Sequence, residues 1–267
     1  MGGRGSSVKF STIPASSPKI RIQSTGSAPA QDDTQNPTPV IQQQPQSIAP
    51  TAVDFSSLTD DEFADSISKL SKTDMPAFLN STRNGAEEFQ AFVYKNNINS
   101  KPIVEDNATF LKNSKGMTKL YRTVNSNYDQ KTDVGMTATD ITDQFISGRL
   151  SRPGNGVYGQ GYYFANTRSG STSYGHTSGD IKKTAVMAAY LNSNAKVVSY
   201  GQAMRDLKKA TGGNSKLSNA LLNMGNPNAA VSIMALRNGY NVIDNGRGYY
   251  VVLDRSAVTV NSKVTAK

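Results

Sequence analysis

Gly159-Gln160-Gly161-Tyr162-Tyr163-Phe164-Ala165-Asn166-Thr167-Arg168-Ser169-Gly170-Ser171-Thr172-Ser173-Tyr174-Gly175-His176 is the stretch on which the reading of this chain turns. A glycine-rich turn enters an aromatic strand, and a polar loop then returns to another aromatic residue. Such an arrangement can sandwich a flat heterocycle between Tyr163 and Tyr174, while Ser171 and backbone amides bond its polar edge. By residue types alone the same pattern also describes ordinary hairpin packing, since tyrosine-rich strands are common.

Outward from this stretch, residues 116–267 are rich in Gly, Tyr, Asn, Ser and Val and carry short β-like runs. These are Leu120 to Val124, Gly161 to Ala165, Ala195 to Tyr200, Asn241 to Ile243, Tyr249 to Leu253 and Ala257 to Val260. Ile181 to Leu191 fits either a helix or a buried strand. Helix signals sit at Gln202 to Ala210 and at Asn226-Pro227, a cap followed by proline at the first helical position. That second helix runs to Asn238, with Gly239 as its stop. Asp244 to Gly248 between two strands reads as a hairpin turn. Gly154-Asn155-Gly156 and Gly212-Gly213 lack a phosphate-loop lysine pattern and read as loops. The fold class is mixed α+β with a strand-rich core.

The rest of the 267-residue chain divides in two. Residues 1–53 read as a disordered tail. Seven of the eleven prolines lie in the first 50 positions, and Gln42-Gln43-Gln44-Pro45-Gln46 buries too little apolar surface to offset its ordering entropy. Residues 54–115 read as a small helical accessory segment. Ser57 or Thr59 can cap a helix opening Asp60-Asp61-Glu62, and Leu58, Phe63, Ile67 and Leu70 recur at helical spacing. Met75 to Leu79 and Ala86 to Tyr94 offer further helices, with Phe89 and Phe92 inward.

Composition removes several chemistries. There is no cysteine and one histidine, His176, so disulfides, thiol catalysis and multi-histidine metal sites are excluded, and no metal is expected. No apolar run approaches the roughly 18 residues of a membrane span. Met1 to Pro14 lacks the apolar stretch of a signal sequence, which argues against Sec export. The net charge of +9 is uneven: +1 over residues 1–55, −4 over 56–110 and +12 over 111–267. A block this basic points to an anionic partner such as a nucleotide, a nucleic acid or an acidic surface.

The aromatic stretch resembles the nicotinamide-binding segment of the ADP-ribosyltransferase superfamily, on the poly(ADP-ribose) polymerase side. That pattern is a Gly-x-Gly turn, Tyr-Phe-Ala, five residues, Ser, two residues, Tyr. Gly161, then Tyr163-Phe164-Ala165, Ser171 and Tyr174 stand at the matching positions. Upstream, Leu120-Tyr121-Arg122 resembles the family's first-strand motif, which would set Tyr121 and Arg122 against NAD, with Arg122 on phosphate or ribose oxygens. Downstream, Gly239 to Asp244 and Tyr249 to Asp254 resemble the final hairpin.

The resemblance implies two packed antiparallel sheets around a cleft, with flanking helices. It implies an NAD-dependent mono-ADP-ribosyltransferase with NAD as substrate, acting on a host protein or nucleic acid, with Arg122, Tyr163 and Tyr249 as the residues of catalysis. One position departs from the pattern. Tyr249 stands where the family carries its catalytic Glu, and the four glutamates, Glu62, Glu87, Glu88 and Glu105, all precede the domain. Asp133, Asp244 and Asp254 are the carboxylates that would have to substitute. The alternatives are therefore a pseudoenzyme that binds NAD or ADP-ribose without turnover, and a scaffold. Met1 to Ser7 and the C-terminal hairpin also resemble phage-encoded members. That implies a place in the host cytoplasm or in the virion, with the tail docking on phage head proteins.

Overall fold

Ten strands and eight α-helices are described in a computed structural model of the chain, over residues 55–68, 87–98, 100–126, 135–149, 153–173 and 179–266. The tail expected over residues 1–53, the Met75 to Leu79 helix, Asp133, Tyr174 and His176 lie outside the described residues. All described residues fall within one unit, Ile48–Lys267.

The first helices form where caps and apolar spacing coincide. Helix α1 (Asp60–Ser68) opens on a reciprocal box, in which the Thr59 N–H donates to Glu62 Oε2 (2.8 Å) and the Glu62 N–H to Thr59 Oγ1 (3.3 Å). The Thr59 N–H and then its hydroxyl, which also donates to Oε2 (2.9 Å), hold the Glu62 carboxyl below its ordinary range. Helix α2 (Glu87–Lys95) buries Phe89 and Phe92 completely, and α3 (Asn107–Asn113), capped by Asp106, buries Phe110. Phe55, Phe63 and Phe92 meet as a cluster of rings, with centroids 5.2–6.0 Å apart. This cluster is continuous with α6 (Tyr200–Thr211), α7 (Lys216–Leu222) and α8 (Pro227–Arg237). The residues read as an accessory segment thus share one core with the C-terminal part. Helix α8 is the axis of that core. Asn226 caps it, Pro227 begins it, and Ala229 to Leu236 are buried on every side.

The α+β class holds, and the two expected layers are joined into one mixed path. Strands run in the order β1 (Ile103–Glu105), β9 (Val258–Asn261), β5 (Thr184–Leu191), β2 (Lys119–Asn125), β4 (Gly159–Ala165), β8 (Tyr249–Val252), β7 (Val242–Asp244), β6 (Val197–Ser199). Strand β10 (Thr265–Ala266) pairs with β5, and β3 (Gly154–Gly156) with β4. The pairs β1/β9 and β6/β7 are parallel and the others antiparallel. The halves meet at one bridge, Tyr121 of β2 with Ala165 of β4. The ambiguous Ile181 to Leu191 run contains β5, whose alternate residues are buried on both faces and so lack period-two polarity. Gly154-Asn155-Gly156, read as a loop, is strand β3.

The second face of the sheet packs on α4 (Ala138–Ser147), through Phe145 against Leu120, Tyr162 and Phe164. Helix α4 has its own box at Thr137 and Asp140 and ends at Gly148 in the left-handed region. Its last carbonyls meet Arg255, a side chain only 2% exposed. Arg255 Nη1 donates to the carbonyls of Gln144 (3.1 Å), Phe145 (3.2 Å) and Arg149 (2.8 Å), and Nη2 to that of Gly148 (3.0 Å). A fixed cation at the negative end of the helix satisfies acceptors of its last turn.

Arg255→Ala should lower the unfolding free energy by about 3 kcal/mol, because it strands buried carbonyls. Arg255→Lys should recover little of that, since an ammonium lacks the planar fork. Urea denaturation measures both, and an unchanged midpoint for Arg255→Ala would remove the cap from the account.

Candidate functional site

The two halves of the sheet part company at β4. Strand β2 pairs with its C-terminal end at Ala165, and β3 pairs with its N-terminal end at Gly159 to Gly161. Between these points the Tyr163 carbonyl receives no strand donor from β2. Arg122 Nη1 donates to it instead, at 3.2 Å. A cavity of about 450 Å³ opens there, within the usual range for small-molecule sites.

Pairing decides which side chains face it. Tyr121 lies opposite Ala165, and Ala165 opposite Tyr249, so alternation puts Tyr121, Thr123, Tyr163 and Tyr249 on one face. Strand β2 contributes Tyr121, Arg122 and Thr123 to the lining, and β4 contributes Tyr163, Phe164 and Ala165. Ser171 enters from α5 (Arg168–Thr172), a short helix capped by Thr167, whose Oγ1 accepts the Gly170 N–H at 3.0 Å. Ser171 is buried. Its hydroxyl donates to the Arg168 carbonyl (2.9 Å) and accepts from Thr123 Oγ1 (3.1 Å).

Tyr249 completes the wall. Its backbone is held by one residue, because the Tyr249 N–H donates to Asn245 Oδ1 (3.0 Å) and its carbonyl accepts the Asn245 N–H (3.1 Å). Its hydroxyl comes within 3.9 Å of the point where a Cβ on Gly170 would stand. Tyr163 is half-buried, and burial pushes its hydroxyl pKa up. That hydroxyl donates to the Gly159 carbonyl (2.6 Å) and accepts the Tyr158 N–H (3.3 Å).

Arg122 shares the face of Leu120 and Val124, with its guanidinium carbon 5.5 Å from the centre of the Tyr162 ring. Desolvation lowers its pKa to about 10, with the Tyr162 hydroxyl opposing, so it is a cation at neutral pH. It sets a fixed positive charge beneath the cavity. Among the described residues lining the cavity none is Asp or Glu. Asp244 accepts the Gly246 N–H in the β7–β8 turn (2.8 Å). Asp254 accepts the Ser256 N–H (2.9 Å) and the Ser100 hydroxyl. Both carboxylates are thus engaged in local turns. No group of three or more His, Cys, Asp or Glu side chains placed to hold a metal ion occurs among the described residues.

Of the residues singled out in the sequence, Tyr121, Arg122, Tyr163, Phe164, Ala165, Ser171 and Tyr249 come together around this cavity. Gly161 does not line it. A Cβ at Gly161 would stand 2.6 Å from Val251 Cγ1 and 2.9 Å from the Val252 carbonyl, so close approach of β8 requires the glycine. Thr123, Gly154, Gly156, Val157 and Tyr158 also line the cavity and were missed. A signal for the last four was present. Glycines two apart on both sides of Val157-Tyr158 mark a tight hairpin.

Gly161→Ala should cost about 1–3 kcal/mol through overpacking against β8. The melting temperature reads this, and a stability equal to wild type would show that β8 yields at no cost. Comparison of the chain with protein-family models, with curated proteins and with solved structures returned no match.

Proposed function

We propose that the cavity binds the nicotinamide end of NAD and that the protein is an NAD-dependent mono-ADP-ribosyltransferase-like protein with slow transfer to a macromolecular acceptor. The observation that carries this reading is the convergence of three sequence-distant segments on one cavity: Tyr121 and Arg122, then Tyr163 with Ser171, then Tyr249. Tyrosine faces offer stacking area to a pyridine ring, and the buried Ser171 hydroxyl offers a polar contact for a carboxamide. The Arg122 cation favours an anionic ligand such as a pyrophosphate nearby.

Transfer breaks the bond between nicotinamide and ribose through an oxocarbenium-like state, which a carboxylate stabilises by charge. Tyr249 can bond a ribose hydroxyl but brings a phenol, not a carboxylate, to the sugar. Loss of one such electrostatic group typically lowers a rate by about 100 to 1,000-fold. The lack of a carboxylate among the described lining residues favours a second reading, an NAD- or ADP-ribose-binding protein without turnover. A host protein or nucleic acid as acceptor, and phage head proteins as partners of the tail, belong to this proposal as well.

Saturating nicotinamide or NAD should stabilise the folded state by about 2–4 kcal/mol at 100 to 1,000 times the dissociation constant, seen as a raised melting temperature. Ser171→Ala should shrink that shift. No shift with either ligand would overturn the reading. Labelled NAD should give weak modification and no polymer, and Tyr249→Glu should raise NAD glycohydrolysis. Robust transfer that survives Tyr249→Phe would assign the chemistry to another group, and binding with no turnover in either protein would select the second reading.

A further inference from the structure

Strand β3 is made of Gly154, Asn155 and Gly156, and its pairing with β4 closes on the two-residue turn Val157-Tyr158. The Tyr163 ring lies along the glycine face of this strand. A Cβ on Gly154 would stand 3.2 Å from Tyr163 Cδ2, and one on Gly156 would stand 2.8 Å from Cε1 and overlap Cζ and the hydroxyl. The ring therefore occupies the volume that two side chains of β3 would fill. Its hydroxyl is turned into the hairpin, donating to the Gly159 carbonyl and accepting the Tyr158 N–H. Both partners are backbone groups of the turn whose tip walls the cavity.

We infer that Gly156, together with Gly154, is a positioning residue that seats the Tyr163 ring, and that Tyr163 serves the cavity by its ring face while its hydroxyl closes the β3–β4 turn. The ligand class that follows is a planar heteroaromatic ring with no donor or acceptor aimed at Tyr163. This rests on the nicotinamide reading of the cavity and adds how the platform is held. With β3 under the ring and the main apolar cluster packed against it, a side chain at 156 displaces the ring toward the cavity. The displaced ring then takes the space of the ligand. The raised hydroxyl pKa agrees with a phenol that remains a donor in the turn.

The experiment compares the full chain with Gly156→Ala, Tyr163→Phe, Tyr163→Leu and the double variant Gly156→Ala/Tyr163→Leu. Nicotinamide affinity is measured by calorimetry and stability by thermal melting. Gly156→Ala is expected to weaken nicotinamide about tenfold or more, the scale of a lost aromatic stack. Tyr163→Phe should lose less affinity than Tyr163→Leu, since the ring remains although its bonds to the turn go, whereas Tyr163→Leu should lose about as much as Gly156→Ala. In the Tyr163→Leu background the Gly156→Ala change should cost no further stability, because the atoms it would meet are gone.

Wild-type affinity in Gly156→Ala would overturn the seat. Equal losses in Tyr163→Phe and Tyr163→Leu would overturn it too, by making the hydroxyl the ligand contact. If Gly156→Ala does not fold, the comparison of Phe with Leu at 163 and the stability of the double variant decide the question. If the wild type binds no nicotinamide, the nicotinamide reading fails by itself. The stability coupling between positions 156 and 163 then still decides whether β3 seats the ring.

Discussion

The pairing of β2 with β4 through Tyr121 and Ala165 alone is the constraint from which the rest of the architecture follows. A longer ladder would zip the two halves of the sheet together and leave no cavity. No ladder at all would leave the halves free to slide, and register would be lost. One pair fixes register and lets the strands diverge at once. Divergence leaves backbone acceptors in a partly buried gap, where an unmet carbonyl costs more than one in water. Arg122 meets the Tyr163 carbonyl there, so the residue that tolerates the opening also brings charge to it.

The opening is braced from behind by Tyr162. Its ring takes a guanidinium contact from Arg122 at 5.5 Å and another from Arg255 at 5.7 Å. Arg255 in turn holds the end of α4, and Phe145 of α4 packs edge-on against Tyr162 at 5.0 Å. A chain of contacts thus runs from the gap at β4 to a helix terminus on the other face of the sheet. On the near face, Tyr163 is held by glycines and turn amides. Successive aromatic residues of one strand therefore do opposite work. Tyr162 locks the rear, and Tyr163 presents a surface to the cavity.

Much of this was legible in the sequence where local chemistry and tertiary packing agree. Asn226-Pro227 and Gly239 bound α8 because cap, proline and stop act locally, whatever surrounds the helix. Tyr249 to Leu253 reads as a strand because its alternation matches burial on two faces, with Val251 in one apolar cluster and Val252 in the other. Three features escaped for reasons that are physical. Strand β3 has no β-formers, since its glycines are selected by the ring that covers them, and that ring comes from another strand. Helix α4 carries a Thr137/Asp140 box but a mixed, threonine-bearing sequence of modest helical propensity. Arg255 has no signal in the sequence, because nothing local reveals the helix end lying across the sheet from it. The cavity-lining residues on β2, β4, α5 and β8, Thr123 apart, were singled out through motif resemblance. The wall from Gly154 to Tyr158 carried no such motif.

Under the proposed function, ring binding and bond-breaking would make different demands on the cavity. Stacking needs planes at fixed spacing, and Tyr163 is held by its ring's seat and by two hydrogen bonds of its hydroxyl. Bond-breaking to a cation-like sugar needs negative charge, which depends on one side chain rather than on the shape of the pocket. In the proposed function that position is 249, at the edge of the cavity. Both polar groups of its backbone are bonded to Asn245, so the main chain there does not rely on the identity of the side chain. A change of side chain at 249 would therefore alter the edge of the cavity while those backbone bonds stand. With tyrosine in place, the cavity keeps its aromatic walls and carries a phenol, not a carboxylate, at that edge. Recognition without rapid turnover is what the proposed function expects of such a division of labour.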